Sequence, residues 1–372
     1  LSKVEKVKVL VIDDSAFMRK LISDFLSEDS RITVIGTARN GEDGIKKIKE
    51  LTPDVVTLDV EMPILDGLSA LKRIMNEHPV PVLMLSSITK VGAESTIQAM
   101  QAGAIDFITK PSGSISLDLY KVKQELVEKV ILASNVKPKT LLNLSSEGKK
   151  TITSRTSYSK MEPREDVKGI VQKTVSPNDW MQSMKKIVII GTSTGGPRAL
   201  QKVLTNLPSD IEAPILIVQH MPAGFTRSLA NRLNTLSAIT VKEAEHGEII
   251  RNGVAYIAPG GQHLKVKTVG VHTAIDLDQS APLNGHRPSV DIMFESVSDL
   301  KAYAKIAVIM TGMGSDGTDG LKKLARKGNV KAIAESQETC IVYGMPKTAI
   351  ATNYIDEVQK VDHIAETIMK YV

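Results

Sequence analysis

Three side chains suited to acyl transfer stand just beyond apolar runs in the C-terminal half of this 372-residue chain. Ser193 sits in GTSTGGPRAL, directly after Ile187-Val188-Ile189-Ile190, His220 follows ILIVQ, and Asp316 lies in GMGSDG. A serine hydroxyl is a weak nucleophile at neutral pH and needs a positioned base. An imidazole, with an ordinary pKa of about 6.5, suits that work. A carboxylate can orient the imidazole through its other ring nitrogen. Glycines around the serine leave room for a substrate carbonyl, and helix N-terminal N–H groups beside it can stabilise an oxyanion. The same residues have plainer uses. Ser193 can cap the helix starting near Gly196, Asp316 can cap the one from Gly317, and His246, His263, His272 and His286 compete with His220 as the base.

A second group occupies the N-terminal half. Asp13 and Asp14 follow the apolar run VLVI, Asp59 ends VVTLD, Ser86 ends VLMLS and Lys110 follows DFIT. Carboxylates brought together repel one another unless a cation compensates, and Mg²⁺ prefers a few hard oxygens while keeping its water. Such a pocket can accept a phosphoryl group on one carboxylate. Ser86 is placed to hydrogen-bond that group, and Lys110 supplies a point positive charge.

Both glycine loops also invite a nucleotide reading. In GTSTGGPR, Gly191 and Gly196 have P-loop spacing, but Pro197 and Arg198 stand where Lys and Ser/Thr belong. Residues 312–317, GMGSDG, match the dinucleotide pattern, yet Asp316 would set a carboxylate beside the pyrophosphate. A nucleotide-dependent oxidoreductase and a non-enzymatic receptor or kinase scaffold are the two alternative functions.

The elements that must position these groups alternate in type. Strand-like runs at Lys8–Asp13, Thr33–Ala38, Asp54–Val60, Val80–Ser86 and Asp106–Lys110 are separated by amphipathic stretches, which predicts a parallel sheet covered on both faces. In a flavodoxin-like 2-1-3-4-5 order, Asp13, Asp14 and Asp59 converge at one sheet end. Alternation resumes at Lys186, with strands at Ile187–Gly191, Ile215–Gln219, Ile239–Glu243, Val254–Ile257 and Ile306–Thr311. This second half reads as a doubly wound, mainly parallel α/β sheet with an antiparallel hairpin addition between Glu245 and Ala281. Ser193, His220 and Asp316 would then share its C-terminal edge. The expected units are residues 5–132, a basic linker at 133–184, and 185–372. Within the linker, Leu141, Leu142 and Trp180 favour burial.

Composition excludes several classes. The chain is 42% hydrophobic and 24% charged, as soluble globular proteins are. No apolar run reaches the roughly 18 residues of a membrane span, and LSKVEKVKVL lacks the apolar core of a signal peptide. With Cys340 as the sole cysteine there is no internal disulfide, so a cytoplasmic home is expected. The net charge of +5 is concentrated between Ser134 and Lys186, where 11 Lys/Arg face 5 Asp/Glu. That distribution describes a solvated tether, not a nucleic-acid surface.

Two resemblances extend this reading. VLVIDDSAFMR, LDVEMPILDGL, VLMLSS and FITKP resemble the receiver domain of two-component response regulators over residues 7–132. The likeness implies that Asp59 is the phosphoacceptor, that Asp13, Asp14 and Asp59 serve Mg²⁺, and that Ser86, Phe107 and Lys110 form the phosphorylation switch. It also implies a partner histidine kinase as phosphodonor. VIIGTSTGGPRAL, VQHMPAGFTRSLANRL, AYIAPGGQHL, HRPSVDIMF and VIMTGMGSDGTDGL resemble the catalytic domain of the chemotaxis methylesterase family (CheB) over about residues 186–370. This implies a Ser193–His220–Asp316 triad with Thr194 and Met313 adjoining it, and no cofactor for the esterase chemistry. The implied reaction is demethylation of methyl-glutamate, and deamidation of glutamine, on the cytoplasmic helices of chemoreceptors. Neither nucleic-acid binding nor direct membrane insertion is expected.

Overall fold

The computed structural model describes residues 5–111, 116–136 and 184–372. Most of the expected linker, with Leu141, Leu142 and Trp180, lies outside the described residues.

The first unit is a five-stranded parallel sheet: β1 (Val7–Ile12), β2 (Ile32–Ala38), β3 (Val55–Asp59), β4 (Val82–Ser86) and β5 (Asp106–Thr109), in the order 2-1-3-4-5. The near-continuous apolar runs belong to the central strands, where Val9–Ile12 and every residue of β3 and β4 are buried, as a sheet covered on both faces requires. Helices α1 (Ala16–Ser27), α2 (Gly41–Leu51), α3 (Gly67–Glu77) and α4 (Lys90–Gln101) begin at Ser15, Asn40, Asp66 and Thr89. Each of those side chains accepts a first-turn N–H, which stops the helix from unwinding into the loop before it. Helix α5 (Ser116–Ser134) closes the unit, and Ala133 and Val136 are buried at its end.

The second unit has β6 (Lys185–Thr192), α6 (Gly196–Leu204), β7 (Ile215–Gln219), α7 (Phe225–Leu236), β8 (Thr240–Glu243), β9 (Val254–Ile257), β10 (His263–Val269) and β11 (His272–Asp278). It continues with α8 (Val290–Ser298), β12 (Tyr303–Ile309), α9 (Thr318–Lys327), β13 (Val330–Glu335), α10 (Met345–Ile350), β14 (Glu357–Gln359) and α11 (Val361–Met369). Seven strands form one sheet, ordered 14-13-12-6-7-9-8, and every pairing in it is parallel. The hairpin β10–β11 is a separate antiparallel sheet. Strand β6 shows why the sheet is wound on both sides. Val188 and Ile190 join the core with α6, α7 and α11, whereas Ile187 and Ile189 join the core with α8 and α9.

The chain starts this sheet in its middle at β6, builds toward β7, and later returns on the other side at β12. Ligands in open α/β sheets bind beyond the carboxyl ends of strands at such a switch. The two units touch where α4 and β5 meet α6 and α7, and Phe107 stacks on Phe225 with ring centroids 4.6 Å apart. No helix among the described residues is long and apolar enough to cross a membrane.

Candidate functional site

The turn after β6 carries the serine. Gly195 adopts φ +80, and a Cβ there would meet Ile341 and the Thr311 hydroxyl, so glycine is needed on both counts. Gly195 is the N-cap of helix α6, which has Pro197 in its first turn and no side chain capping it. The Ser193 side chain is therefore not spent on capping, although its carbonyl accepts the Gly196 N–H at 2.7 Å. Further hydrogen bonds hold the turn: the Ser193 N–H donates to the Thr311 carbonyl at 3.0 Å, and the Gln219 side-chain Nε2 donates to the Ser193 carbonyl at 3.0 Å.

Register brings the base alongside. Thr192 pairs with Gln219, so the residues that follow, Ser193 and His220, leave neighbouring strand ends together. The His220 N–H donates to the Thr192 carbonyl at 3.2 Å. Its Nε2 lies 2.8 Å from Asp316 Oδ2, while Nδ1 is buried with no hydrogen-bond partner among the described residues. With Nε2–H engaged by the carboxylate, Nδ1 is the free base.

Asp316 stands well past the end of its strand, farther along the chain from the sheet edge than Ser193 and His220. It lies in the loop after β12 and is nearly fully buried. Nor does it cap α9 by its side chain; it serves the start of α8 instead. Oδ2 accepts the Val290 N–H at 2.7 Å, and Oδ1 accepts the Asp291 N–H at 3.0 Å and the Ser289 hydroxyl at 2.9 Å. Burial alone would raise this carboxyl. The hydrogen bond and charge of His220, with the Asp291 and Val290 N–H groups, outweigh burial and hold it well below the usual carboxylate range. Asp316 thus stays an anion beside the imidazole.

The rival histidines have other posts. His263 is fully buried, its Nδ1 accepting the Ser289 N–H at 3.2 Å, so it braces the residue that braces Asp316. His246 and His272 are exposed on and near the hairpin. His286 stacks on His220, with centroids 3.9 Å apart and planes 8° from parallel. Burial and the adjacent His220, against the pull of Asp316, push His286 down to about 4, so it is a neutral platform at neutral pH. That role carried no signal in the sequence, because a stacking partner has no fixed spacing.

Thr194 follows Ser193 in the turn, and Met313 follows Gly312 in the loop after β12. Gly312, beside Met313, packs so closely that a Cβ there would sit 2.8 Å from Ser193 Cβ. Met313 also lines a cavity of about 700 Å³ with Leu132 and Val136 of the first unit and Ile341 and Tyr343 of the second. Thr194 is buried, and its hydroxyl donates to Asp106 of β5.

The acidic pocket assembles as the strand order requires. Ligand-capable oxygens of Asp13, Asp14 and Asp59 lie within 4.8 Å of one another, with Asp13 and Asp59 buried and Asp14 exposed. Lys110 Nζ is 2.8 Å from both Asp13 and Asp59. Burial, reinforced by the Asp13 charge and opposed by Lys110, pushes Asp59 up to about 6. Asp59 Oδ2 is buried without a hydrogen-bond partner among the described residues. Hard oxygens, one of them orphaned, suit Mg²⁺. Ser86, at the end of β4, accepts from the Thr96 hydroxyl at 2.7 Å, and Phe107 is turned toward Phe225 rather than solvent.

Comparison with known proteins identifies both units by family. The CheB methylesterase family model matches residues 188–368, and the response regulator receiver domain model matches residues 9–119. A protein-glutamate methylesterase/protein-glutamine glutaminase of Halalkalibacterium halodurans is 57% identical over 365 residues, covering 98% of each chain. Proteins of the same name from Oceanobacillus iheyensis and Bacillus subtilis are 56% and 52% identical, the first covering 99% and the second 98% of both chains. Two family matches in this order, and relatives alike along almost their whole length, establish that the chain belongs to the CheB methylesterase family, with a response regulator receiver domain preceding the methylesterase domain.

Proposed function

We propose that Ser193, His220 and Asp316 hydrolyse methyl esters of glutamate side chains on chemoreceptors. The observation that carries this assignment is the His220–Asp316 pair at 2.8 Å, with Nδ1 buried and without a hydrogen-bond partner among the described residues, on a residue whose strand end neighbours that of Ser193. Nδ1 takes the Ser193 proton as Oγ attacks the ester carbonyl. The imidazolium is stabilised by the anionic Asp316 and returns the proton to the departing methanol. Water then attacks the acyl-enzyme, with His220 again as base, and leaves a free glutamate. Backbone N–H groups near Thr194 or Met313, beside uncapped α6, are the proposed oxyanion donors. The same steps on a glutamine amide release ammonia, in line with the second activity in the relatives' name.

The receiver supplies control. Asp59 is the proposed phosphoacceptor, fed by a chemotaxis histidine kinase. Asp13, Asp14 and Asp59 would hold Mg²⁺, which when bound neutralises charge on the transferred phosphoryl group. Lys110 supports the added charge, and Ser86 and Phe107 relay it. The proposed substrate helices are those of cytoplasmic receptor regions, and a cytoplasmic enzyme is proposed with them. The test is methanol release from methylated receptor, with and without a phosphodonor. Wild type should be accelerated by the phosphodonor, and Ser193→Ala should fall by roughly 10⁶-fold, as loss of a triad serine does. Undiminished release by Ser193→Ala would sink the triad assignment.

A further inference from the structure

Glu335 ends β13 and is 1% exposed, and among the described residues it has no ion-pair partner. A carboxylate left without a cation in the interior is costly, so its hydrogen bonds must return something. Oε2 accepts the Thr311 N–H at 2.8 Å, and Oε1 accepts the Thr339 hydroxyl at 2.8 Å. The pairing of β12 with β13 stops at Ile309 and Ala334, so the ladder no longer supplies an acceptor for Thr311. The Glu335 side chain takes over there.

Thr311 is in turn the clamp on the nucleophile turn. Its carbonyl accepts the Ser193 N–H and the Thr192 hydroxyl, each at 3.0 Å. Its hydroxyl donates to the Thr194 carbonyl at 2.9 Å and accepts the N–H groups of Ile341 and Val342 at 3.1 Å. One buried residue therefore grips Ser193 and both of its neighbours, and its own N–H is anchored by a single carboxylate. We propose that Glu335 is a positioning residue for the esterase, holding Thr311 so that the Ser193 turn keeps its geometry for attack. The inference rests on Ser193 being the nucleophile. Glu335 stands behind the turn and acts through Thr311.

Two variants separate reach from charge in the full-length protein. Glu335→Gln keeps an oxygen at the length needed for the Thr311 N–H. Glu335→Asp keeps the acid but withdraws it by one methylene. Thermal melting and phosphorylation of Asp59 by a small-molecule phosphodonor report that each variant is folded. In the methanol-release assay Glu335→Gln should stay near wild type. Glu335→Asp should lose roughly 10- to 100-fold in kcat, the cost of a turn displaced by about an ångström, with KM little changed. A folded Glu335→Asp with wild-type kcat overturns the proposal, as does Glu335→Gln falling as far as Glu335→Asp, or a loss confined to KM. Ser193→Ala in the same assay keeps the two ideas apart. If it is inactive while Glu335→Asp is unimpaired, only the Glu335 inference fails; if it is active, both do.

Discussion

At the scale of single residues, the unusual feature is how thoroughly Asp316 is supplied with donors. An isolated buried carboxylate would take up a proton, yet this one meets His220, two N–H groups at the start of α8, and Ser289. Those donors keep it charged, which sets the tautomer of His220. Asp316→Asn would present a carbonyl or an amide to Nε2 and let the wrong ring nitrogen carry the proton. A drop in kcat of about 10⁴-fold is expected with the fold intact, as in other triads; retention of more than a tenth of wild-type kcat would show that His220 does not need the anion. Glu335 makes the opposite case. Burial, against the Thr311 N–H and the Thr339 hydroxyl and with some help from Asp362, pushes it up to about 7. The folded protein then holds this proton more tightly than the unfolded chain, whose glutamates titrate near 4.5. Between those values the folded state binds more protons, so the contribution to stability is present at low pH and is lost as pH rises through 7. Melting temperature should therefore fall from pH 5 to 7 more in wild type than in Glu335→Gln. Parallel curves would mean that Glu335 ionises as an ordinary glutamate.

At the scale of elements, what the sequence shows is the run of apolar residues that ends in a functional one. In β3 and β7 every position is buried, and Asp59 or His220 stands at or just after the last. Continuous apolar runs of this kind mark interior parallel strands, and the fold rule for such sheets places function at their carboxyl ends. The acidic pocket and the placing of Ser193 and His220 at neighbouring strand ends were legible for that reason. Asp316 was legible as a partner but not in its place, because the loop that carries it past β12 onto the start of α8 has no periodicity. Strand β13, VKAIAE, was not read as a strand at all. Lys331 interrupts its apolar residues and Glu335 ends them, and that glutamate looks like a surface residue until Thr311 is seen to need an acceptor. The stacking of His286 on His220 and the bond from Thr194 to Asp106 are equally silent, since each joins segments distant in the chain.

At the scale of the whole molecule, the receiver is joined to the nucleophile turn by a few named contacts. Asp106 accepts from Thr194, the residue next to Ser193, and lies 3.3 Å from Lys129. Phe107 is buried on Phe225, a stack worth about 0.5–1.5 kcal/mol beyond its area. Gln101 receives the Arg232 side chain at 3.0 Å. The strand bearing Asp106 and Phe107 runs directly to Lys110, which grips Asp13 and Asp59. A phosphoryl group on Asp59, the proposed acceptor, would compete for that lysine, and a shift of β5 would loosen Phe107 and Asp106 together. Docking also buries Ile97 and Met100 of α4 in one apolar cluster with Phe225 and Leu229 of α7, so release must expose that surface. Phosphorylation shifts the population only by its differential free energy between the two states; each 1.4 kcal/mol is tenfold. Deleting residues 1–140 should raise basal methanol release and abolish its dependence on a phosphodonor. Asp106→Ala in the full chain should raise the basal rate in part and leave phosphorylation of Asp59 unchanged. A truncated enzyme no faster than the unphosphorylated full chain would mean that the contacts seen here do not restrain Ser193, and that phosphorylation must act by adding something to the active enzyme rather than by releasing it.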